Sequence, residues 1–396
     1  MATNFKEKQI SIFFFIFIYI FTSPIPIFSS PYLFFDSKPE TRIIRVLVLS
    51  ANRLKSLKID GVDKINETTI PYNCINLSIE GGRLVNKEGI VSSESFKVST
   101  RNIFTVTIPD IPQIKRFYRG KLQITFDSSR REIQVINLIP LNDYLAGVLA
   151  GEMGNKFASA ALQAQAVISR TWTLSHLRPK KVYDFSDCTK HQVYFGVSRN
   201  WRNYLEAVSS TMGLILAYSG SPIDAVFHST CGGELNSARQ IWGNDIPYLT
   251  AKKDISDEEV VNCKDSPFMN WDFAIKVEMF HKLLREAFNT SGEITGIRIR
   301  ERKRQLYVQL LGVGKFLPLD TFRLSVNKRL GEVKIRSNNF TIEKDGEFYV
   351  IKGHGYGHNV GLCQYGANYM AKQGKDFKDI LSFYYPYTRL IQWGKE

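Results

Sequence analysis

The chain has 396 residues, of which 44% are hydrophobic and 23% charged, with 27 Gly, 14 Pro and a formal charge of +14. That composition excludes a collagen-like or compositionally disordered chain, and the length leaves room for two or three domains. The basic excess allows nucleic acid, an anionic membrane surface or an acidic polymer as partner, because net charge speaks to association and not to fold.

Nine of the 27 Phe fall in the first 35 residues, around the apolar run Ile10 to Phe21 that follows Lys6 and Lys8. A bilayer span needs about 20 apolar residues. This run is shorter and ends at Ser23-Pro24, so residues 1–35 read as a secretory signal peptide or a retained N-terminal membrane anchor. Both alternatives put the remainder outside the cytoplasm, in the periplasm or cell wall. Lys6, Glu7 and Lys8 contribute one net positive charge, so +13 belongs to residues 36–396. Five cysteines, Cys74, Cys188, Cys231, Cys263 and Cys363, then face an oxidising compartment, and an odd count leaves at least one unpaired.

Residues 36–135 read as a strand-rich N-terminal region. Ile43 to Leu49 and Phe104 to Ile108 are β-branched or aromatic runs, and Lys121–Phe126 with Arg131–Ile139 forms a strand pair around Asp127-Ser128-Ser129. Residues 136–396 form the second region. Leu141 to Leu177 reads as helical, with Ala160, Ala164, Val167, Ile168, Thr171 and Ser175 along one face, and it must end before Pro179. Residues 271–290 read as another helix, and about 290–350 as a strand-rich insertion with alternation such as Ile297-Arg298-Ile299-Arg300. Ala367–Gln373 and Phe377–Tyr385 are closing helices, stopped by Gly374 and Pro386. The expected class is α+β, strand-rich segments around a central helix, with an active-site cleft formed by Gly-rich loops.

Three such segments carry polar chemistry: Ala150–Gly154, Phe227–Gly233 and Gly353–Ala367. Glycines there permit close backbone approach by a ligand. Glu152 lies between Gly151 and Met153, near Leu145, Val148 and Leu149. Desolvation in an apolar setting raises a carboxyl pKa, which suits a general acid. The alternative is that Glu152 only complements a helix N-terminal dipole. His354 and His358 have the spacing of a helical metal pair, but Gly355 and Gly357 between them favour a turn. Ser229 beside His228 lacks the Gly-x-Ser-x-Gly frame of a nucleophile elbow.

In order, Tyr118-Arg119-Gly120, Leu141–Val148, Glu152-Met153, Ala161–Val167 with Arg170-Thr171, His191–Gly196, Ser229–Gly233, Ile241-Trp242-Gly243, Gly353–Ala367 and Tyr384-Tyr385-Pro386 resemble the family of stage II sporulation protein D and its relatives, which include the LytB-type amidase enhancers. The resemblance implies a peptidoglycan lytic transglycosylase with Glu152 as catalytic acid. Its substrate would be the MurNAc–GlcNAc bond of glycan strands, its product a 1,6-anhydro end. A non-catalytic glycan-binding enhancer of a cell-wall amidase is the alternative. On this resemblance Gln192, Tyr194, His228, Ser229, Tyr356, His358 and Gln364 would bind substrate, with Tyr194 or Tyr356 stacking on a sugar, while Gln163, Gln165 and Arg170 would brace Glu152. Some members hold zinc near the Gln-x-Tyr motif through a His and Cys cluster. Here Cys188 and His191 alone are available, so no metal and no cofactor are expected. Cys231 and Cys263 are the expected disulfide. Peptidoglycan is the expected partner, together with an amidase and not nucleic acid, since no basic nucleic-acid motif occurs and the N-terminus is signal-like.

Overall fold

The computed structural model describes residues 42–86, 92–154 and 156–394. The N-terminal apolar segment, and with it the choice between signal peptide and anchor, lies outside the described residues. Among the described residues no helix is long and apolar enough to cross a membrane. The chain divides into two compact units. One holds residues 42–225 with 376–378 and 388–394, the other Val226–Lys375 with Asp379–Tyr387.

The first unit opens with β1 (Ile43–Val48), β2 (Ser56–Asp60), β3 (Lys64–Ile65), β4 (Thr68–Thr69), β5 (Cys74–Glu80), β6 (Arg83–Asn86), β7 (Ser92–Ser93), β8 (Ser95–Ser99), β9 (Phe104–Ile108), β10 (Ile111–Tyr118), β11 (Lys121–Asp127) and β12 (Glu132–Pro140). These are followed by α1 (Leu141–Glu152), α2 (Ser159–Ser175), β13 (Phe185–Ser186), α3 (Trp201–Ser210), β14 (Leu214–Tyr218) and β15 (Ser221–Pro222). A seven-stranded sheet runs β13-β1-β12-β11-β8-β3-β4 and a six-stranded sheet β10-β9-β2-β5-β6-β7. Period-two alternation explains β1, whose Ile44, Val46 and Val48 are buried. The expected strand pair is present: β11 and β12 are antiparallel, with Ile124 opposite Val135. An expected boundary between residues 135 and 136 falls inside β12, whose register with β1 runs from Val135 to Pro140.

The expected continuous helix from Leu141 to Leu177 is two helices. α1 ends at Glu152, where the Met153 N–H still bonds the Leu149 carbonyl, and Gly154 at φ +68° turns the chain away before α2 begins. That backbone conformation is open to Gly at little cost. α2 buries far more than one face, since Ala161, Leu162 and every residue from Ala164 to Leu174 are buried. A helix apolar or satisfied all round belongs to an interior.

The second unit contains β16 (Phe227–His228), β17 (Glu234–Leu235), α4 (Ala238–Trp242), β18 (Lys252–Lys253), β19 (Asn270–Lys276), α5 (Val277–Phe288), β20 (Gly296–Arg302), β21 (Gln305–Leu311), β22 (Lys315–Pro318), α6 (Leu319–Leu330), β23 (Asn339–Asp345), β24 (Phe348–His354), β25 (Leu362–Cys363) and α7 (Gln364–Lys372). β19, β24 and β23 form one antiparallel sheet, and β20, β21 and β22 another. Residues 271–276, expected as helix, are the strand β19, because Trp271, Phe273 and Ile275 alternate and pair with β24. The expected strand-rich insertion holds α6 as well. Phe280 on α5 and Phe322 on α6 meet edge to face at 6.3 Å, which fixes both helices in one core.

Candidate functional site

Each unit holds one constellation of the expected residues. In the first, Glu152 is the last residue of α1. The dipole-complementing alternative is therefore excluded, since a helix C-terminus carries the negative partial charge. Half-buried Glu152 accepts the Val193 N–H on one oxygen, Oε1, at 2.7 Å. That bond is made possible by two glycines one helical turn apart. A Cβ on Gly147 would stand 2.4 Å from the Tyr194 ring, and one on Gly151 would stand 2.6 Å from the Val193 carbonyl oxygen. The 193–196 loop thus lies directly on the α1 backbone, and its amide reaches the carboxyl.

The neighbours expected to bind sugar beside Glu152 do structural work instead. Tyr194 is fully buried, donates its hydroxyl to Asn137 Oδ1 at 2.7 Å and packs its ring 5.3 Å from that of Tyr144, so it offers no sugar platform. Gln192 is 1% exposed and donates to Thr173 Oγ1 at 2.9 Å, which ties the loop to α2. Gln163 reaches Ser210 Oγ at 3.1 Å. Gln165, fully buried, donates to Ser169 Oγ at 3.0 Å. Arg170, fully buried, donates to the carbonyls of Leu214 and Val208, both at 3.0 Å, so it clamps α3 and β14 and does not brace Glu152. Burial lowers its pKa to about 10, which still leaves it charged at neutral pH.

Cys188 and His191 share Ser186 as partner: its Oγ lies 3.3 Å from Cys188 Sγ and 2.8 Å from His191 Nδ1. The Ser186 N–H donates to the same ring nitrogen at 3.1 Å. Burial, with Arg178 and Lys190 adding to it, lowers the His191 pKa to about 3.

In the second unit, parallel pairing of β16 with β25 sets His228 beside Cys363, and a bridge pairs Thr230 with Tyr356. The Phe227–Gly233 and Gly353–Ala367 segments, 120 or more residues apart in sequence, thereby become one constellation. The expected turn around His354 to His358 is present: β24 ends at His354 and no helix begins before Gln364. His228 is 1% exposed, with Nδ1 donating to the Val360 carbonyl at 3.1 Å, while Nε2 has no hydrogen-bond partner among the described residues. Burial, then His358, holds its pKa well below the ordinary value. The His358 ring lies 5.4 Å from that of His228 and 5.2 Å from that of Trp242, and its Nδ1 accepts the Val360 N–H at 3.1 Å. Burial lowers the His358 pKa to about 4 against the pull of Asp320. Gln364, 4% exposed, opens α7. Ser229 is half-buried, as is Tyr356, whose ring packs 4.9 Å from Phe268. Ser229, Tyr356 and His358 are half-buried members of the expected set, and His228 and Gln364 are interior.

The expected Cys231–Cys263 disulfide is not formed. Both cysteines are free, and their sulfurs stand 3.6 Å apart, far beyond the ~2.05 Å of an S–S bond. Cys363 and Asp254 join them, and the four donor atoms lie within 4.8 Å of one another, all in buried residues. The spacing of Cys and His along the chain gave no sign of this set. Asp254 stands in no recognisable motif, and the three cysteines come from separate segments. Val193 was missed too, since the group it contributes is a backbone amide.

A family sequence model described as "Stage II sporulation protein" matches residues 129–218, which include Glu152 and the loop that binds it. The chain is 33% identical over 264 residues to stage II sporulation protein D of Bacillus amyloliquefaciens, covering 62% of this chain and 73% of that protein. Against the stage II sporulation protein D of Bacillus subtilis (strain 168) the identity is 31% over 276 residues, 65% of this chain and 76% of that protein. An amidase enhancer from the same organism is 29% identical over 289 residues, 63% of this chain but 40% of its own length.

Proposed function

The chain belongs to the stage II sporulation protein D family, and on that premise we propose that it is an exported peptidoglycan lytic transglycosylase with Glu152 as its general acid and base. The observation that carries this reading is the setting of Glu152: a partly exposed carboxyl at a helix end, with one oxygen fixed by the Val193 amide. Orientation of that kind is what a proton donor to a glycosidic oxygen requires. In the reaction, the protonated carboxyl gives its proton to the oxygen between N-acetylmuramic acid and N-acetylglucosamine as the bond to C1 breaks. The C6 hydroxyl of the same muramic residue attacks C1 and gives its proton back to the carboxylate, which leaves the 1,6-anhydro ring. The nucleophile belongs to the substrate. A second carboxylate, needed by retaining and inverting glycosidases, is not required.

Ser229, Tyr356 and His358 are the residues we retain as glycan contacts. The +13 carried after residue 35 suits the carboxylates of the wall polymer. The second reading is a glycan-binding enhancer of an amidase, favoured by the relative that bears that name. Incubating residues 36–396 with glycan strands stripped of stem peptides, followed by mass spectrometry for anhydromuramyl ends, separates them. The first reading expects product from the parent and none from Glu152→Gln with strand binding retained. Strand binding without product from either protein, together with stimulation of an added amidase, would establish the second.

A further inference from the structure

Cys231, Asp254, Cys263 and Cys363 meet in the interior of the second unit at relative exposures of 0%, 0%, 1% and 0%. A tetrahedral zinc with Zn–S bonds of ~2.3 Å holds its sulfurs about 3.8 Å apart. The 3.6 Å between Cys231 and Cys263 is close to that separation, and all four donor atoms lie within 4.8 Å of one another. The Cys231 thiol donates to Asp254 Oδ2 at 3.0 Å, a hydrogen bond whose proton a bound ion would replace.

The surroundings are those of anionic ligands. Three backbone amides point at sulfur: Gly233 N–H at Cys231, and Cys231 N–H and Gly366 N–H at Cys363, each at 3.3 Å. Sulfur is a weak acceptor as a thiol, so three buried amides directed at it fit thiolates better. Asp254 Oδ1 accepts from Asn262 Nδ2 at 2.9 Å, the Tyr384 hydroxyl lies 3.0 Å from Oδ1 and 3.1 Å from Oδ2, and Oδ2 faces the Cys231 sulfur. Outer partners of this kind orient metal ligands. Gly366 completes the space, since a Cβ there would stand 2.6 Å from Asp254 Oδ2. A disulfide between Cys231 and Cys263 would account for only two members of the set. It would leave Cys363 and Asp254, whose donor atoms lie within 4.8 Å of the other two, outside the bond.

We infer that these four residues form a structural zinc site, with three cysteine sulfurs and one Asp254 carboxylate oxygen as ligands. On binding, each thiol gives its proton to water, and the ion ties together segments 132 residues apart, from Cys231 to Cys363. All four positions are taken by protein, so the site is closed and supplies no catalytic water.

The full chain, purified without added metal, is expected to carry about one zinc ion by elemental analysis. Chelation should lower its melting temperature. Reloading with cobalt should give the intense thiolate-to-cobalt absorption in the near ultraviolet and the visible bands of a tetrahedral ion. Cys363→Ser and Asp254→Asn each should weaken cobalt affinity by tenfold or more. Because those variants could fail to fold, the parent protein also decides: peptide mapping without reduction should find all three cysteines as thiols. A linked Cys231–Cys263 peptide, or a folded parent free of zinc that gives no cobalt spectrum, would overturn the assignment.

Discussion

Glu152 Oε1 accepts the backbone N–H of Val193 across 41 residues of chain at 2.7 Å. The contact joins the end of α1 to the loop that follows β13. Gln in place of Glu152 retains an acceptor oxygen, while Ala removes it. Glu152→Gln should therefore stay within about 1 kcal/mol of the parent in chemical denaturation, and Glu152→Ala should lose about 1 kcal/mol more. On the proposed mechanism both lose anhydromuramyl product by ~10²-fold or more. Parental turnover by either variant would remove Glu152 from the chemistry.

Gly151 gives a prediction whose sign is set by packing. In an exposed helix, Gly→Ala stabilises by about 1 kcal/mol. Here the added methyl would meet the Val193 carbonyl at 2.6 Å, a backbone atom that cannot swing aside. Gly151→Ala should instead destabilise by roughly 1–3 kcal/mol. It should also reduce turnover by shifting the loop that holds Glu152. A rise in melting temperature would show that the loop is not seated on the helix.

Arg170 is a buried cation serving two carbonyls, one of them Val208 in the last turn of α3, where the helix dipole favours positive charge. Arg170→Met should cost about 3 kcal/mol, because two charge-assisted hydrogen bonds from a buried cation are lost and the Val208 carbonyl keeps only the Thr211 hydroxyl at 3.3 Å. Arg170→Lys should recover part of that loss. Urea unfolding of the three proteins provides the comparison, and equal midpoints would contradict the clamp.

His191 sets a pH dependence. Its Nδ1 accepts the Ser186 N–H, so the folded ring is neutral, and its pKa is near 3 against an unfolded value of 6.5. A depressed histidine lets the unfolded chain take up the proton first. Its contribution is therefore whole above pH 6.5 and falls as the pH drops toward 3, by about 1.4 kcal/mol per unit within that window. His191→Asn, whose Oδ1 can take the place of Nδ1, should flatten the slope. Parallel curves for parent and variant between pH 6.5 and 4 would refute this account.

Sequence alone determined what is local. The β-branched or aromatic runs became β1 and β9, the Asp127 turn joined β11 to β12, a helix began at Leu141, and the glycines around His354 and His358 prevented one there. Ordered motifs led to the family, whose model matches the segment containing Glu152. Tertiary structure decided everything that depends on which residues face each other at long range. Tyr194 and Gln192 carry the same side chains whether they bind sugar or fill a core, and only the packing of their loop on α1 and α2 makes them interior. Residues 271–276 became a strand because β24 supplied a partner. Cys231, Asp254, Cys263 and Cys363 have no informative spacing, since their meeting depends on the pairing of β16 with β25 and on turns that bring four segments to one point. Spacing records neighbours along the chain, whereas a site is made by neighbours in space, and burial fixes those only after the elements have packed.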